Sequence, residues 1–150
     1  MITGKWFDGF AKSELADINQ IKNTVFVKEM GMTRDDVFDE GEFPAVHLAV
    51  YDNGKPVACG KIIKDGSRLC FGQIASLPEH RGKGYGDFVM RLLIRKAFDM
   101  GAEKQYVNVP VAVRGFFERL GFVPEGDIGE EADIHCIVMV HTGDVGGCKH

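Results

Sequence analysis

The chain has 150 residues, of which 45% are hydrophobic and 27% charged, the balance of one globular domain with enough apolar material for a single core. Its formal net charge of −4 excludes the strongly basic surface that grips nucleic acid, whereas a cationic ligand such as an amine suits a mildly acidic protein. No stretch reaches the roughly 18 consecutive apolar residues that a membrane span needs.

The N-terminus and the cysteines both predict a cytoplasmic protein. The opening residues MITGKWFDGFAK lack the apolar core of a secretory signal peptide. The cysteines show no CxxC pairing, so reduced thiols are favoured over disulfides or a zinc site, and no metal is expected. The four are Cys59, Cys70, Cys136 and Cys148.

The first half of the chain predicts a strand, a helix and a hairpin. ITGKWF is typical of a strand, and Ser13 can cap a helix that runs to about Met30. The apolar face of this helix consists of Leu15, Ile18, Ile21, Val25 and Phe26. The acidic segment MTRDDVFDEGEFP, closed by Pro44, indicates a loop. Two apolar runs around Asn53-Gly54 then predict a hairpin.

The second half predicts a strand, a glycine loop and alternating helices and strands. RLCFGQIASL is strand-like, and the helix after the loop stops at Gly101. The predicted inward face of that helix is Phe88, Val89, Leu92, Leu93, the stem of Lys96, and Ala97. KQYVNV predicts a strand, residues 111–120 a helix and HCIVMV a late strand. The order favours a mixed sheet with packed helices in one domain, residues 1–141, followed by a flexible tail, residues 142–150.

The loop RGKGYG, from Arg81 to Gly86, carries the strongest chemical signal. Its three glycines let backbone N–H groups turn towards one point, and the helix that begins there adds its partial positive charge. Arg81 and Lys83 add donors and charge, so the loop suits a pyrophosphate. The Rossmann pattern fails at Asp87, and the P-loop pattern fails because Lys83 is followed by Gly84. A flexible turn with solvated charges is the alternative interpretation.

The loop also satisfies the pattern Q/R-x-x-G-x-G/A, and here the sequence resembles the GCN5-related N-acetyltransferase (GNAT) family, which binds acetyl-CoA by this loop. QIASLPEHRGKGYGDFVMRLLIRKA resembles the family's strand–loop–helix core, and FFERLGF resembles its motif FYxxxGF. IKNTVFVKEMG, FDEGEFPAVHLAV and DIHCIVMV resemble the ElaA/YjcF-like branch. The resemblance covers most of residues 18–140. It implies an α/β (α+β) fold with a mixed, mostly antiparallel sheet, helices on both faces and a fourth strand splayed from the fifth.

The resemblance implies acetyl-CoA as cosubstrate. The pantetheine arm would enter the gap between the fourth and fifth strands, where Ile74 and Ser76 offer backbone groups and the Ile74 N–H is placed to polarise the thioester carbonyl. Plain core packing of Ile74 is compatible with this role. The implied cofactor-binding residues are Ile74, Ala75, Ser76, Arg81, Gly82, Lys83, Gly84, Tyr85, Gly86 and Phe117.

The implied reaction is direct attack of a primary amine on the thioester, and two polar positions of the family are apolar in this chain. Phe117 stands where a tyrosine often supplies the general acid, and Pro110 stands where Asn or Gln is frequent. His135 matches a histidine of the branch and is the first choice for proton transfer, with a structural histidine as the alternative. Glu42 lies in an acidic loop and can receive or deprotonate the amine, with a solvated loop as the alternative.

Other polar residues and partners stay open. Tyr106 and Asn108 share one face of the fifth strand, and Glu29 is a further acidic candidate. The acceptor is a small-molecule or peptide amine, without a nucleic-acid or membrane partner. The oligomeric state is undetermined, a homodimer being one open alternative. A non-catalytic acyl-CoA-binding module or sensor on the same fold is the rival interpretation, and a nucleotide-binding protein is a more distant one.

Overall fold

The computed structural model describes residues 1–8, 15–38, 45–66, 68–126, 128–131 and 134–142. Eight strands of these ranges form one sheet in the order β1-β2-β3-β4-β5-β8-β6, with β7 paired to β8. The strands are β1 (Ile2–Asp8), β2 (Ala45–Asp52), β3 (Lys55–Asp65), β4 (Arg68–Ser76), β5 (Lys104–Pro110), β6 (Val123–Pro124), β7 (Gly129–Glu131) and β8 (Ile134–Thr142). Every pairing is antiparallel except β4–β5, which is parallel. The predicted mixed, mostly antiparallel sheet is therefore confirmed.

Helices cover both faces of the sheet. The α-helices of the described residues are α1 (Ala16–Lys22), α2 (Arg34–Phe38), α3 (Tyr85–Asp99) and α4 (Arg114–Arg119). A π-helix, Asn23–Glu29, continues α1 without a break. On β2, Leu48 and Val50 join the core cluster that contains α3 and α4, whereas Ala49 between them joins the cluster of α1. Because successive strand side chains point to opposite faces, α1 lies on one face of the sheet, and α3 and α4 lie on the other.

The hairpin and the first strand match the prediction. Asn53 and Gly54 both have positive φ, 51° and 84°, as a two-residue hairpin turn requires. The predicted apolar face of the first helix is buried at Leu15, Ile18, Ile21 and Val25. The predicted cap Ser13 lies outside the described residues, as does the tail from residue 143 onward. The sequence did not predict β6 and β7, because strands of two and three residues carry no readable alternation.

The acidic segment after the first helix was predicted to be a loop. This prediction is wrong in part, because the segment contains the helix α2. The Oγ1 of Thr33 accepts a hydrogen bond from the Asp36 N–H at 3.1 Å, which caps the helix. Asp35 and Asp36 lie in its first turn, next to the positive end of the helix dipole. Val37 is 1% exposed and anchors the helix. One buried residue in a five-residue helix gives no periodicity, so the pattern missed it.

α3 buries a wider stripe than the sequence predicted. Val89, Leu93 and Ala97 are fully buried as expected, but so are Met90 and Ile94. The helix contacts β2, β3 and β4, so more than one row of its side chains meets the sheet. The flanking positions are the partly buried Phe88 and Leu92, and Lys96, whose ammonium lies 5.3 Å from the Trp6 ring centroid.

The described cysteines Cys59, Cys70 and Cys136 are not joined in disulfides, and Cys148 lies outside the described residues. Within the described ranges, no three His, Cys, Asp or Glu side chains are grouped so that they could hold a metal ion. In the same part of the chain, no helix has the length and apolar character needed to cross a membrane.

His47 is a buried base on β2, only 3% exposed. Burial, followed by the positive charges of Lys22 on α1 and Lys61 on β3, lowers the pKa of His47 from 6.5 to about 4. The unfolded chain therefore takes up this proton near pH 6.5, and the folded protein takes it up only near pH 4. The stability contributed by neutral His47 is present above pH 6.5 and is lost as the pH falls from 6.5 to 4.

We expect this acidification to cost about 3 kcal/mol of unfolding free energy, at about 1.4 kcal/mol per pKa unit. Urea unfolding at pH 7.0 and pH 4.5 should show the drop in the wild type and a smaller drop in His47→Gln, whose side chain does not titrate. If the two proteins lost the same free energy, another group would be responsible.

Candidate active site

A cleft opens where β4 and β5 separate. The two strands are paired over Leu69–Phe71 and Gln105–Val107, and their pairing ends there. A cavity of about 710 Å³ fills the gap between the diverging strands, lined by residues 71–76 of β4 and 107–110 of β5. The predicted splay is confirmed, and Ile74, Ala75 and Ser76 lie on the wall of the cleft.

A β-bulge in β4 bends the strand at the cleft. In β3 one residue separates Cys59 from Lys61, whereas two residues separate their partners Ala75 and Gly72 in β4. The extra residue is accommodated at Gln73, whose φ is +47°. This left-handed conformation costs a non-glycine residue roughly 1–2 kcal/mol. Bulges of this kind re-aim groups next to active sites.

The glycine loop leads from β4 into the first turn of α3. Gly82 and Gly84 have φ of +81° and +86°, and a Cβ added at either would meet nothing within 4 Å. Backbone conformation, rather than space, therefore requires glycine at both positions. Gly84 is the N-cap of α3, and no described side chain caps the helix. Because the loop and the first turn line the cleft, this end of the helix can accept an anion such as a pyrophosphate.

Tyr85 fixes the start of α3 to the β2–β3 hairpin. Its hydroxyl donates a hydrogen bond to Asp52, which raises the pKa of Tyr85, and burial adds to the effect. His80 packs edge-on against the Tyr85 ring at 6.1 Å. The Tyr85 hydroxyl is therefore already engaged within the protein, by its hydrogen bond to Asp52.

Arg81 ties the two walls of the cleft together. Its Nη1 and Nη2 each donate to a carboxylate oxygen of Glu29 at 2.6 Å, and its Nε donates to the Ser76 carbonyl at 3.2 Å. Glu29 ends the π-helix, so the pair joins the α1 side to the glycine loop. The hydrogen bond from Arg81 lowers the pKa of Glu29, and the bond to Glu29 raises the pKa of Arg81. The Arg81 guanidinium, which was predicted to bind phosphate, therefore also holds Glu29 and the Ser76 carbonyl.

The resemblance implies acetyl-CoA as the ligand of this loop, and on that expectation Arg81→Ala should weaken its binding about tenfold, because charge-assisted contacts to an anion are worth roughly 1.5–3 kcal/mol before screening at an exposed site. Calorimetry gives the Kd. The control is Arg95→Ala, which removes a more exposed ion pair with Asp99 at the far end of α3 and should leave the Kd unchanged. A normal Kd in Arg81→Ala would argue against the phosphate role, and an equal loss in Glu29→Gln would assign the effect to the tie between the walls.

Phe117 lies at the cleft as the resemblance implied. It is 6% exposed and lines the cavity together with Phe116 and Pro110. Its ring stands edge-on to Phe116 at 5.1 Å and to Phe122 at 5.7 Å, contacts that favour one ring position. The position therefore keeps an aromatic wall and lacks the hydroxyl.

The two predicted side-chain catalysts are not among the described residues that line the cleft. His135 is exposed on β8 and lines a second cavity of about 650 Å³. The other residues of this second cavity are Pro110, Val111, Ala112 and Ile128. Pro110 borders both cavities, so they adjoin at the end of β5. Glu42 lies outside the described residues, and both catalytic roles stay predictions.

The two polar residues of β5, Tyr106 and Asn108, have different surroundings in the structure. The Arg68 guanidinium stacks over the Tyr106 ring at 3.7 Å, at the end of β5 that is paired with β4, which agrees with packing as the favoured role of Tyr106. Asn108 lines the cleft.

Sequence reasoning missed the wall that faces β4. Val25, Phe26 and Met30 line the cleft, and Val25 is at the same time buried in the core, with Phe26 packed against it, as helical periodicity predicted. Gln73 was missed because a left-handed glutamine inside a strand has no sequence signal. The π-helix explains the wall: its hydrogen bond from the Met30 N–H to the Val25 carbonyl, at 3.0 Å, inserts an extra residue per turn and shifts the apolar stripe.

Two diverging parallel strands, a bulge beside them and a glycine loop at a helix N-terminus define the acyl-CoA N-acyltransferase class of fold. The profile of the acetyltransferase (GNAT) family matches residues 14–122. The chain belongs to this family. It is an acyltransferase, and its fold binds acyl-CoA.

The individual relatives agree with this class. Over 116 residues the chain is 32% identical to the uncharacterized N-acetyltransferase YjcF of Bacillus subtilis, covering 74% of this chain and 79% of that protein. An acyl-CoA N-acyltransferase from Pseudomonas aeruginosa shares the fold with a TM-score of 0.83 at 19% identity, over 95% of this chain and 100% of that one. Escherichia coli ElaA gives a TM-score of 0.81 at 21% identity, over 94% and 99%. The predicted family and its ElaA/YjcF-like branch are confirmed.

Proposed function

We propose that the protein transfers an acetyl group from acetyl-CoA to a primary amine by direct attack on the thioester. The observation that carries the proposal is the single cleft that runs from the β4 bulge to the glycine loop at the N-terminus of α3. A C–N bond forms and the C–S bond breaks. The amine loses a proton, and the thiolate of CoA leaves and is protonated in turn.

We assign the residues that line the cleft to successive parts of the cofactor. Ile74 is assigned to polarise the thioester carbonyl through its N–H, and Ala75 and Ser76 are assigned to the pantetheine arm. The loop Arg81–Gly86, which includes Lys83, is assigned to the pyrophosphate, since its positive-φ glycines and the helix end favour an anion. The Phe117 ring packs along the arm.

Removal of a proton from the amine is the more demanding of the two proton transfers. An alkylammonium has a pKa of about 10.4, so it must be deprotonated before attack, whereas a thiol with a pKa of about 8.5 leaves tolerably without an acid. We assign the first step to His135, directly or through water from the adjoining cavity. Glu42 is retained as a group that receives the cationic amine. The thiolate leaves without a side-chain acid, because the cleft presents Phe117 and Pro110 at the positions where the family often has polar groups.

Two experiments test the proposal. Calorimetry with acetyl-CoA should give saturable binding below millimolar concentration, and its absence would refute the cofactor assignment. A thiol-release assay with small amines, amino sugars, lysine and short peptides should show CoA release that depends on the amine. Binding without turnover across the whole panel would instead support the non-catalytic sensor, and competition by ATP but not by CoA would support a nucleotide-binding protein.

We also propose the extent of the domain, the class of acceptor and the cellular location of the reaction. Residues 1–141 act as one domain, the acceptor is a small-molecule or peptide amine, and the reaction takes place in the cytoplasm without a nucleic-acid or membrane partner. The described cysteines, which are not joined in disulfides, and the acidic net charge support these assignments.

A further inference from the structure

Two glutamines of the sheet use their side chains differently. Gln105 is fully buried and satisfied at both ends: its Nε2 donates to the Ala102 carbonyl at 3.0 Å, and its Oε1 lies 3.0 Å from His141 Nδ1. Gln73 donates its Nε2 to the Val37 carbonyl at 2.7 Å. Its Oε1 is buried and has no hydrogen-bond partner among the described residues. Because a carbonyl oxygen can only accept, Val37 fixes which end of the Gln73 amide is nitrogen.

Gln73 also occupies the strained position of the β4 bulge. Its φ of +47° is in the left-handed region, and its own carbonyl accepts a hydrogen bond from the Cys59 Sγ at 3.6 Å. Burial raises the pKa of the Cys59 thiol to about 12, so the thiol keeps its proton and remains a donor. The bulge is therefore held from two sides, by β3 through Cys59 and by α2 through Val37.

Neither feature of Gln73 is explained by packing. A left-handed backbone and an unsatisfied buried oxygen are both unfavourable, and they persist where the surrounding structure imposes them, most often at functional sites. The next residue is Ile74, whose N–H is assigned to the thioester carbonyl. A hydrogen-bond donor of this kind works only if it is held within about 0.5 Å and 10–20° of its target.

We propose that Gln73 is a positioning residue for acyl transfer: anchored on Val37, it fixes the β4 bulge and aims the Ile74 N–H at the thioester carbonyl. The inference rests on the proposed function, because it uses the Ile74 N–H in the place assigned there. It also joins α2, on the α1 side of the sheet, to the strand that holds the reacting carbonyl.

The test is Gln73→Met, which keeps the length of the side chain and removes both the donor to Val37 and the unsatisfied oxygen. We expect kcat to fall about tenfold to a hundredfold, since a misplaced oxyanion donor loses most of its effect, while the Kd for acetyl-CoA stays within about twofold. Isotope-edited infrared spectroscopy of bound carbonyl-labelled acetyl-CoA should show the C=O stretch moving towards its free value in the variant. Unchanged kcat and an unchanged stretch would overturn the proposal.

The control is Gln105→Met, which removes two side-chain hydrogen bonds away from the cleft. It should lower the Tm without changing kcat per folded enzyme or the carbonyl stretch, and an equal loss of kcat in Gln105→Met would also overturn the proposal. Gln73→Asn is a second variant, because asparagine tolerates positive φ but is one methylene too short to reach Val37, so it should reproduce Gln73→Met. Failure of the wild type to bind acetyl-CoA would refute the proposed function, whereas normal binding and turnover with an unaffected Gln73→Met would refute this inference alone.

Discussion

Phe117→Tyr should raise kcat by up to about a hundredfold where departure of the thiolate limits turnover. A positioned general acid typically contributes about 10²–10⁴-fold, and the wild-type cleft has an aromatic ring without a hydroxyl at this position. The added phenol would protonate the departing thiolate as the C–S bond breaks. The measurement is thiol release with both acetyl-CoA and the amine at saturation, so that the comparison reports kcat rather than binding.

The affinity for acetyl-CoA should not change in this variant. Phe116 and Phe122 hold the Phe117 ring edge-on from two sides, so the substitution adds an oxygen and leaves the aromatic wall in place. Phe98→Tyr adds the same hydroxyl to an exposed ring on α3, outside the cleft, and should leave kcat unchanged. If Phe117→Tyr also left kcat unchanged, departure of the thiolate would not limit turnover.

His135→Ala should lower kcat about a hundredfold and leave the Kd for acetyl-CoA unchanged. The reason is that the amine must lose a proton before it attacks, and a general base typically contributes about 10²–10⁴-fold. His135 lies in the cavity that adjoins the cleft at Pro110. The measurement is kcat as a function of pH, where the loss should diminish as alkaline solution deprotonates the amine.

The matched control is Ile128→Ala, which shortens a side chain in the same cavity without removing a proton carrier. Its kcat should stay near that of the wild type. A His135→Ala enzyme with normal kcat would return this histidine to a structural role.

Several elements could be predicted because their signals are local. Asn53-Gly54 predicts its hairpin, since both residues tolerate the positive φ that the turn requires. The glycines of Arg81–Gly86 predict an anion-binding loop for the same reason. Other elements were harder to predict: α2 is too short to show periodicity, and nothing in the sequence indicates that Val25 and Phe26, which were predicted to face the core, also line the cleft.

The sequence by itself determined the family, the sheet with helices on both faces and the loop that suits the cofactor, because each depends on residues that are neighbours in the chain. Only the tertiary structure decided the partner of Arg81, which is Glu29 at 52 residues' separation. Only it placed His135 in a cavity beside the cleft and gave Gln73 its left-handed backbone. These features arise where separate elements meet, since an ion pair, an adjoining cavity and a bulge depend on which strands and helices pack together, and local propensity does not specify that packing.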